Sequence, residues 1–106
     1  TKLILPNDTL FTTSVRLTIM ILLLNHKKIN FTEMQKLLQL TPGNLDHHLR
    51  KLVDAHYVKT YKKLSSLRKP LTMVEITDNG KKDFIEYIKK FKDVLDNIVI
   101  SSEANS

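Results

Sequence analysis

The 106-residue chain contains no cysteine, which excludes disulfides, thiolate metal sites and thiol redox sensing. It has only two glycines, Gly43 and Gly80, so there is no glycine-rich loop to cradle a phosphate. The histidines His26, His47, His48 and His56 form no His-x-x-x-His pair, and no serine has an evident His and Asp partner. No metal, cofactor or enzymatic activity is therefore expected. The longest unbroken apolar run, residues 19–24, is far short of the roughly 20 residues that span a membrane. The first residues lack a basic stretch followed by a long apolar run, so no secretory leader is expected. A cytoplasmic, nucleoid-associated chain is expected instead. Acidic residues are few beside basic ones, 11 against 17, leaving a net charge of +6. That balance suits a polyanionic partner, although many basic proteins bind nothing charged.

What is present is one informative stretch, residues 31–52. Its first half carries apolar Met34, Leu37 and Leu38, and its second half Leu45, Leu49 and Leu52. Thr32 with Gln35 three residues on reads as a capping box for the first helix. Between the halves, Thr41 reads as an N-cap and Pro42 as the first residue of the second helix. This spacing predicts a helix-turn-helix, a unit that sets its second helix in the DNA major groove. With Leu45 turned to the core and about 100° per residue, Gly43, His47 and Arg50 fall on the outer face, flanked by Asn44 and Lys51. Arg50 can donate in bidentate fashion to guanine and Asn44 can pair with adenine. His47 can donate to a base or a phosphate. Thr41 and Gly43 lie at the helix start, where backbone N–H groups approach a phosphate. Asp46, at the edge of this face, accepts from a cytosine or holds Arg50 in position. Each of these residues taken singly also reads as solvated surface. His48 points toward the core side and reads as a packed, hydrogen-bonded histidine.

The flanking segments fit around this unit. Asp8 or Thr9 caps a first helix ending near Asn25, and its centre, residues 15–24, is apolar almost all round. Such a helix must be covered on every side. A short strand is expected at residues 29–31 and two longer ones at 57–62 and 71–76, rich in β-branched and aromatic residues. From Tyr57 to Pro70 the charged residues are Lys59, Lys62, Lys63, Arg68 and Lys69, all basic. Lys62, Lys63, Arg68 and Lys69, with Ser65 and Ser66 in the connecting loop, are candidate contacts to phosphates and a minor groove. Lys27 and Lys28 are candidates for a further backbone contact. Thr77 caps a last helix, and Gly80 lets its start pack closely. Phe84, Ile88, Phe91, Leu95 and Ile98 repeat at intervals of 4, 3, 4 and 3, an a/d seam. The seam, with Leu10, Leu17 and Ile21, predicts a dimer interface; a helix packed on its own domain has the same spacing. Lys81, Lys82, Lys89, Lys90 and Lys92 are interleaved with Asp83 and Glu86 and read as a solvated face.

The expected fold is mainly α with a small β-hairpin: a winged helix-turn-helix with a two- or three-stranded wing, its terminal helices forming a dimer interface. Residues 1–100 make one domain and 101–106 a polar tail. Ser14-Val15-Arg16-Leu17, the run from Leu40 to Leu52, Tyr57-Val58, the basic wing and Ile76-Thr77-x-x-Gly80 resemble the prokaryotic winged-helix transcriptional regulators of the MarR/ArsR type over residues 14–91. The resemblance implies a homodimer that binds a pseudo-palindromic operator in double-stranded DNA and represses transcription. A small-molecule effector is left open: the cysteines of many ArsR-type sensors are absent, and the terminal helices look short for a MarR-type pocket. A low-specificity architectural DNA-binding protein and a protein-interaction winged helix remain as alternatives.

Overall fold

The computed structural model describes Phe11 and residues 13–104, with side chains placed through residue 98. Seven elements follow in order: α1 (Ser14–His26), β1 (Lys28–Asn30), α2 (Phe31–Leu38), α3 (Pro42–Asp54), β2 (Val58–Leu64), β3 (Pro70–Ile76) and α4 (Asp78–Ala104). The expected helix-turn-helix is α2 and α3. The wing is the hairpin β2–β3, to which β1 adds a third antiparallel strand in the order β1-β3-β2.

Local chemistry sets most boundaries. Asn30, rather than Thr32, caps α2: its side chain accepts from the Glu33 N–H at 2.8 Å, and its amide nitrogen returns a bond to the Glu33 carboxylate at 3.4 Å. Strand pairing explains the correction. Asn30 is opposite Met73 in the β1–β3 ladder, which holds it extended and starts the helix at the next residue. α2 ends at Gln39, which adopts the left-handed conformation (φ 54°). Leu40 N–H then bonds the Gln35 carbonyl at 3.2 Å, satisfying a carbonyl the helix end leaves open. Thr41 caps α3 as expected, its hydroxyl accepting from the Asn44 N–H at 3.2 Å, with Pro42 following. α1 begins at Ser14 with Thr13 as its N-cap; the expected caps Asp8 and Thr9 lie outside the described residues.

The core gathers Ile19, Met20 and Leu23 of α1, Ile29 of β1, Met34 of α2, Leu45, Leu49 and Leu52 of α3, Val58, Val74 and Ile76 of the sheet, Phe84 of α4, and Phe11. Each of these aliphatic side chains contributes about 1.5–3 kcal/mol on burial. Phe84 therefore corrects the sequence reading. It is fully buried in its own chain, because Phe11 packs edge-on against it with ring centroids 5.2 Å apart. Of the other expected seam residues, Ile88, Phe91, Leu95 and Ile98 are exposed, Ile21 is exposed on α1, and Leu17 is half-buried. Leu10 lies outside the described residues.

α4 opens as the sequence suggests. Thr77 Oγ1 accepts from the Gly80 N–H at 2.9 Å and donates to the His56 carbonyl at 2.6 Å. A Cβ on Gly80 would fall on the carbonyl oxygen of Tyr57. The spacing Thr77-x-x-Gly80 thus ties α4 to the turn between α3 and β2. The helix runs on to Ala104, taking in residues 101–104, which the sequence assigns to the polar tail.

Candidate nucleic-acid interface

α3 buries Leu45, Leu49 and Leu52 and leaves Thr41, Gly43, Asn44, His47, Arg50 and Lys51 exposed. The expected outer face is therefore an outer face. Nothing lies within 4 Å of where a Gly43 side chain would start, so the first turn of α3 is open to an approaching ligand. Asp46 and Arg50, one turn apart, form an ion pair at 2.8 Å. The pair is solvent-exposed and contributes little stability, but it restrains the guanidinium.

His48 sits on the inner edge, as expected. Its Nδ1 accepts from Nη1 of Arg16 at 3.2 Å, a contact between α3 and α1. Burial, then the neighbouring Arg16, His47 and Lys51, push the imidazole below its ordinary value. The neutral ring is the form able to accept from Arg16. Sequence reasoning misses this role for Arg16. The available signal is that Arg16 is the one Lys, Arg, Asp or Glu within α1.

Across from α3 stands the wing. Val58, Thr60, Lys62 and Leu64 alternate onto one face of β2, and Lys59, Tyr61 and Lys63 onto the other. Lys62 is held across the ladder by donating to Thr72 Oγ1 at 2.6 Å. Asp46, Arg50 and Asp54 of α3 and Thr60, Lys62 and Thr72 of the sheet line a cleft of about 380 Å³ between helix and wing. The opposite face is different. Register places Lys59 beside Glu75, and they pair at 3.3 Å, while Tyr61 donates to the same carboxylate at 3.1 Å. Burial works against the Glu75 charge, but hydrogen bonds from Tyr61 and Lys59 and the charges of Lys59 and Lys27 outweigh it and hold the carboxyl below its usual range. Burial and the bond to Glu75 push the Tyr61 phenol up. Lys59 thus has its charge answered, although its own strand holds no acid. Lys27 and Lys28 fall by β1, at the sheet edge away from β2, and do not join the cleft.

The wing turns tightly at its tip. Ser65 N–H bonds the Lys69 carbonyl at 2.9 Å, and Arg68 N–H bonds the Ser65 carbonyl at 2.8 Å. Ser65 Oγ accepts from the Lys69 N–H at 3.1 Å, so that hydroxyl serves the turn, while Ser66 stays exposed. Arg68 takes the left-handed conformation, φ 57°, which closes three-residue hairpin loops of this kind. Lys63, Arg68 and Lys69 are exposed and have no ion pair among the described residues. On α4, Lys90 pairs with Glu86 of the interleaved set at 3.9 Å, and Lys92 pairs with Asp96 further along at 3.4 Å, as on a solvated face.

Among the described residues no group of His, Cys, Asp or Glu side chains is arranged to hold a metal, and no helix is long and apolar enough to cross a membrane.

Comparisons with known proteins agree with this geometry. A family model described as a winged helix DNA-binding domain matches residues 15–95. A transcriptional regulator homologue from Pyrococcus horikoshii is 42% identical, with a TM-score of 0.81 over 87% of this chain and 90% of its own. An uncharacterized protein of Methanocaldococcus jannaschii is 35% identical over 89 residues, 84% of this chain and 96% of the relative. Reduced AbfR, solved bound to DNA, superposes with a TM-score of 0.64 at 17% identity, over 88% of this chain and 68% of its own. That last likeness is one of fold alone.

Proposed function

The chain belongs to the winged helix DNA-binding domain family, and from that premise we propose that it acts as a homodimeric repressor that reads a pseudo-palindromic operator through α3 and grips it through the wing. DNA binding is the activity that names this family, and the similar Pyrococcus protein is a transcriptional regulator homologue; neither points to enzymatic catalysis. The observation that carries the finer reading is a pair of exposed polar surfaces on neighbouring elements, α3 and the wing, which meet at the cleft lined by Arg50 and Lys62. On one side are Asn44, His47 and Arg50 of α3, with donors and acceptors suited to base edges. On the wing are Lys62, which lines the cleft with Arg50, and Lys63, Arg68 and Lys69, which are exposed beyond it, with charge suited to phosphates. Thr41, Gly43 and Lys51 place α3 against the backbone in this reading, and Asp46 orients Arg50. A winged helix solved on DNA, reduced AbfR, supports DNA as the occupant of the cleft. The place of action is then the cytoplasm, at the chromosome.

The dimer rests on α4. Ile88, Phe91 and Leu95, with Leu17 and Tyr87, line an apolar groove of about 340 Å³, and Ile98 continues the exposed stripe. Two copies joined there present two α3 helices to half-sites about 34 Å apart. The groove also falls within the roughly 300–1,000 Å³ of small-ligand sites, so an apolar effector seated in it would compete with the partner helix. Phe91→Glu is expected to yield monomers on a sizing column; an unchanged elution volume counts against this interface.

Selection of binding sites from random-sequence DNA tests the reading. A symmetric consensus with two half-sites supports it. Salt-dependent binding with no consensus turns the function toward an architectural DNA-binding protein. The absence of salt-dependent DNA binding turns it toward a protein-interaction module.

A further inference from the structure

The wing tip carries a feature that phosphate binding does not use. Leu67 is 77% exposed and Leu64 63%, the two highest values among the exposed large hydrophobic side chains. The other such residues on α1 and α4, Ile21, Ile88, Phe91, Leu95 and Ile98, have the proposed dimer seam to account for them. Leu67 has nothing of that kind. It stands at the middle of the three-residue loop, on a turn braced by the Ser65–Lys69 and Ser65–Arg68 hydrogen bonds. Its neighbours in sequence are Arg68 and Lys69, and Lys63 lies on the adjoining strand. A rigid apolar point ringed by unpaired cations is complementary to a groove with apolar sugar walls and anionic rims. Leucine is also among the side chains that minor-groove proteins insert between base steps, which unstacks them and bends the duplex.

We propose that Leu67 is a wedge that enters the minor groove beside the α3 half-site and partly unstacks a base step there, while Arg68 and Lys69 hold the flanking phosphates. The proposal rests on the reading of the wing as a DNA contact and deepens it. Pyrimidine–purine steps such as TpA and CpA unstack most easily. The wedge therefore makes the protein choose sequence by deformability at a position that α3 never touches. An anionic membrane would also accept a basic and apolar tip. DNA is favoured because the hairpin that carries the tip shares a cleft with α3 through Thr60, Lys62 and Thr72, and Asp46 and Asp54 on that cleft would be repelled by a continuous anionic surface.

The test compares wild type, Leu67→Ser and Leu67→Phe on short duplexes in which a TpA step is scanned through the flanks of the selected site, or through arbitrary sequence if no site emerges. Energy transfer between dyes on the duplex ends reads bending, and 2-aminopurine in the step reads unstacking. Leu67 is exposed and lies outside the core, so the variants fold; circular dichroism checks this. Wild type and Leu67→Phe are expected to bend the duplex, by roughly 20–90° as apolar wedges do, and to brighten 2-aminopurine at one scanned position. Leu67→Ser is expected to lose both signals and the TpA preference while its salt dependence stays unchanged. Equal bending and fluorescence in wild type and Leu67→Ser overturn the wedge, as does Leu67-dependent binding to phosphatidylglycerol vesicles without DNA bending. Arg68→Ala with Lys69→Ala, measured alongside, separates the two readings. If that pair lowers the salt slope and Leu67→Ser changes nothing, the wedge alone fails. If that pair leaves the salt slope unchanged, the wing reading fails and the wedge with it.

Discussion

On α3, Arg50 is tied to Asp46 at 2.8 Å and Asp54 lies on the same cleft; at the tip of the wing, Lys63, Arg68 and Lys69 meet no carboxylate among the described residues. Arg50 thus has its charge answered within its own helix, whereas the three tip cations do not. A paired arginine contributes little to the long-range field, because its partner cancels it beyond a few ångströms. It gains orientation instead, and a fixed guanidinium is better placed to make two parallel bonds to one guanine. Unpaired cations on a hairpin make the opposite trade. They attract any phosphate and distinguish few sequences. The difference suggests a division of labour in which the helix reads and the wing holds.

The strongest way to break the comparison is to remove the junction that both regions share. Gly80→Ala drives a methyl group into the Tyr57 carbonyl, between the end of α3 and the start of β2. Overpacking of this kind costs about 1–3 kcal/mol or more, so the melting temperature is expected to fall and DNA binding to fail for every sequence together. Next in size is the wing. Arg68→Ala with Lys69→Ala is expected to weaken binding roughly 10–100-fold, equally on a selected and a scrambled duplex in fluorescence anisotropy. Arg50→Ala sharpens the contrast. It is expected to cost about 1–3 kcal/mol on the selected duplex and little on the scrambled one. Asp46→Ala, which frees Arg50 without removing it, is expected to relax the same base position by about 1 kcal/mol or less.

The smallest effect concerns how α3 is anchored. The His48 imidazole is held below its ordinary value of about 6.5 in the folded chain. The unfolded chain therefore binds that proton first. The contribution is fully present above that pH and is lost as the pH falls through the folded value. Urea midpoints are expected to drop between about pH 7.5 and about pH 5.5, and His48→Gln to flatten that drop. The wing contains no histidine, so the wing double variant is expected to show the drop unchanged.

How much of this is legible in the sequence follows from the range of the interactions. Thr41-Pro42 and Thr77-x-x-Gly80 act within one turn, and both stand where their spacing puts them. The α2 cap is ambiguous in sequence because Thr32 and Asn30 each have a Glu or Gln three residues on. Pairing of Asn30 with Met73 decides between them, and that partner is 43 positions away in the chain. The a/d spacing from Phe84 to Ile98 is real, but spacing does not reveal that Phe11 covers Phe84. The wing reads as one-signed because Glu75 reaches Lys59 only through strand register. Arg16 reaches His48 across 32 positions, a contact that no local pattern encodes. The outer face of α3, by contrast, follows from leucine spacing alone, and Asn44, His47 and Arg50 are exposed on it.

The division of labour is tested most directly by the slope of log affinity against log salt concentration on the selected duplex, for wild type, Arg50→Ala and the Arg68→Ala, Lys69→Ala pair. Each phosphate that is no longer neutralised lowers the slope by about 0.9. The wing pair is expected to lower it by about 1.8 and Arg50→Ala to leave it near the wild-type value. A wing pair with the wild-type slope, together with an Arg50→Ala slope that falls, would contradict this division of labour.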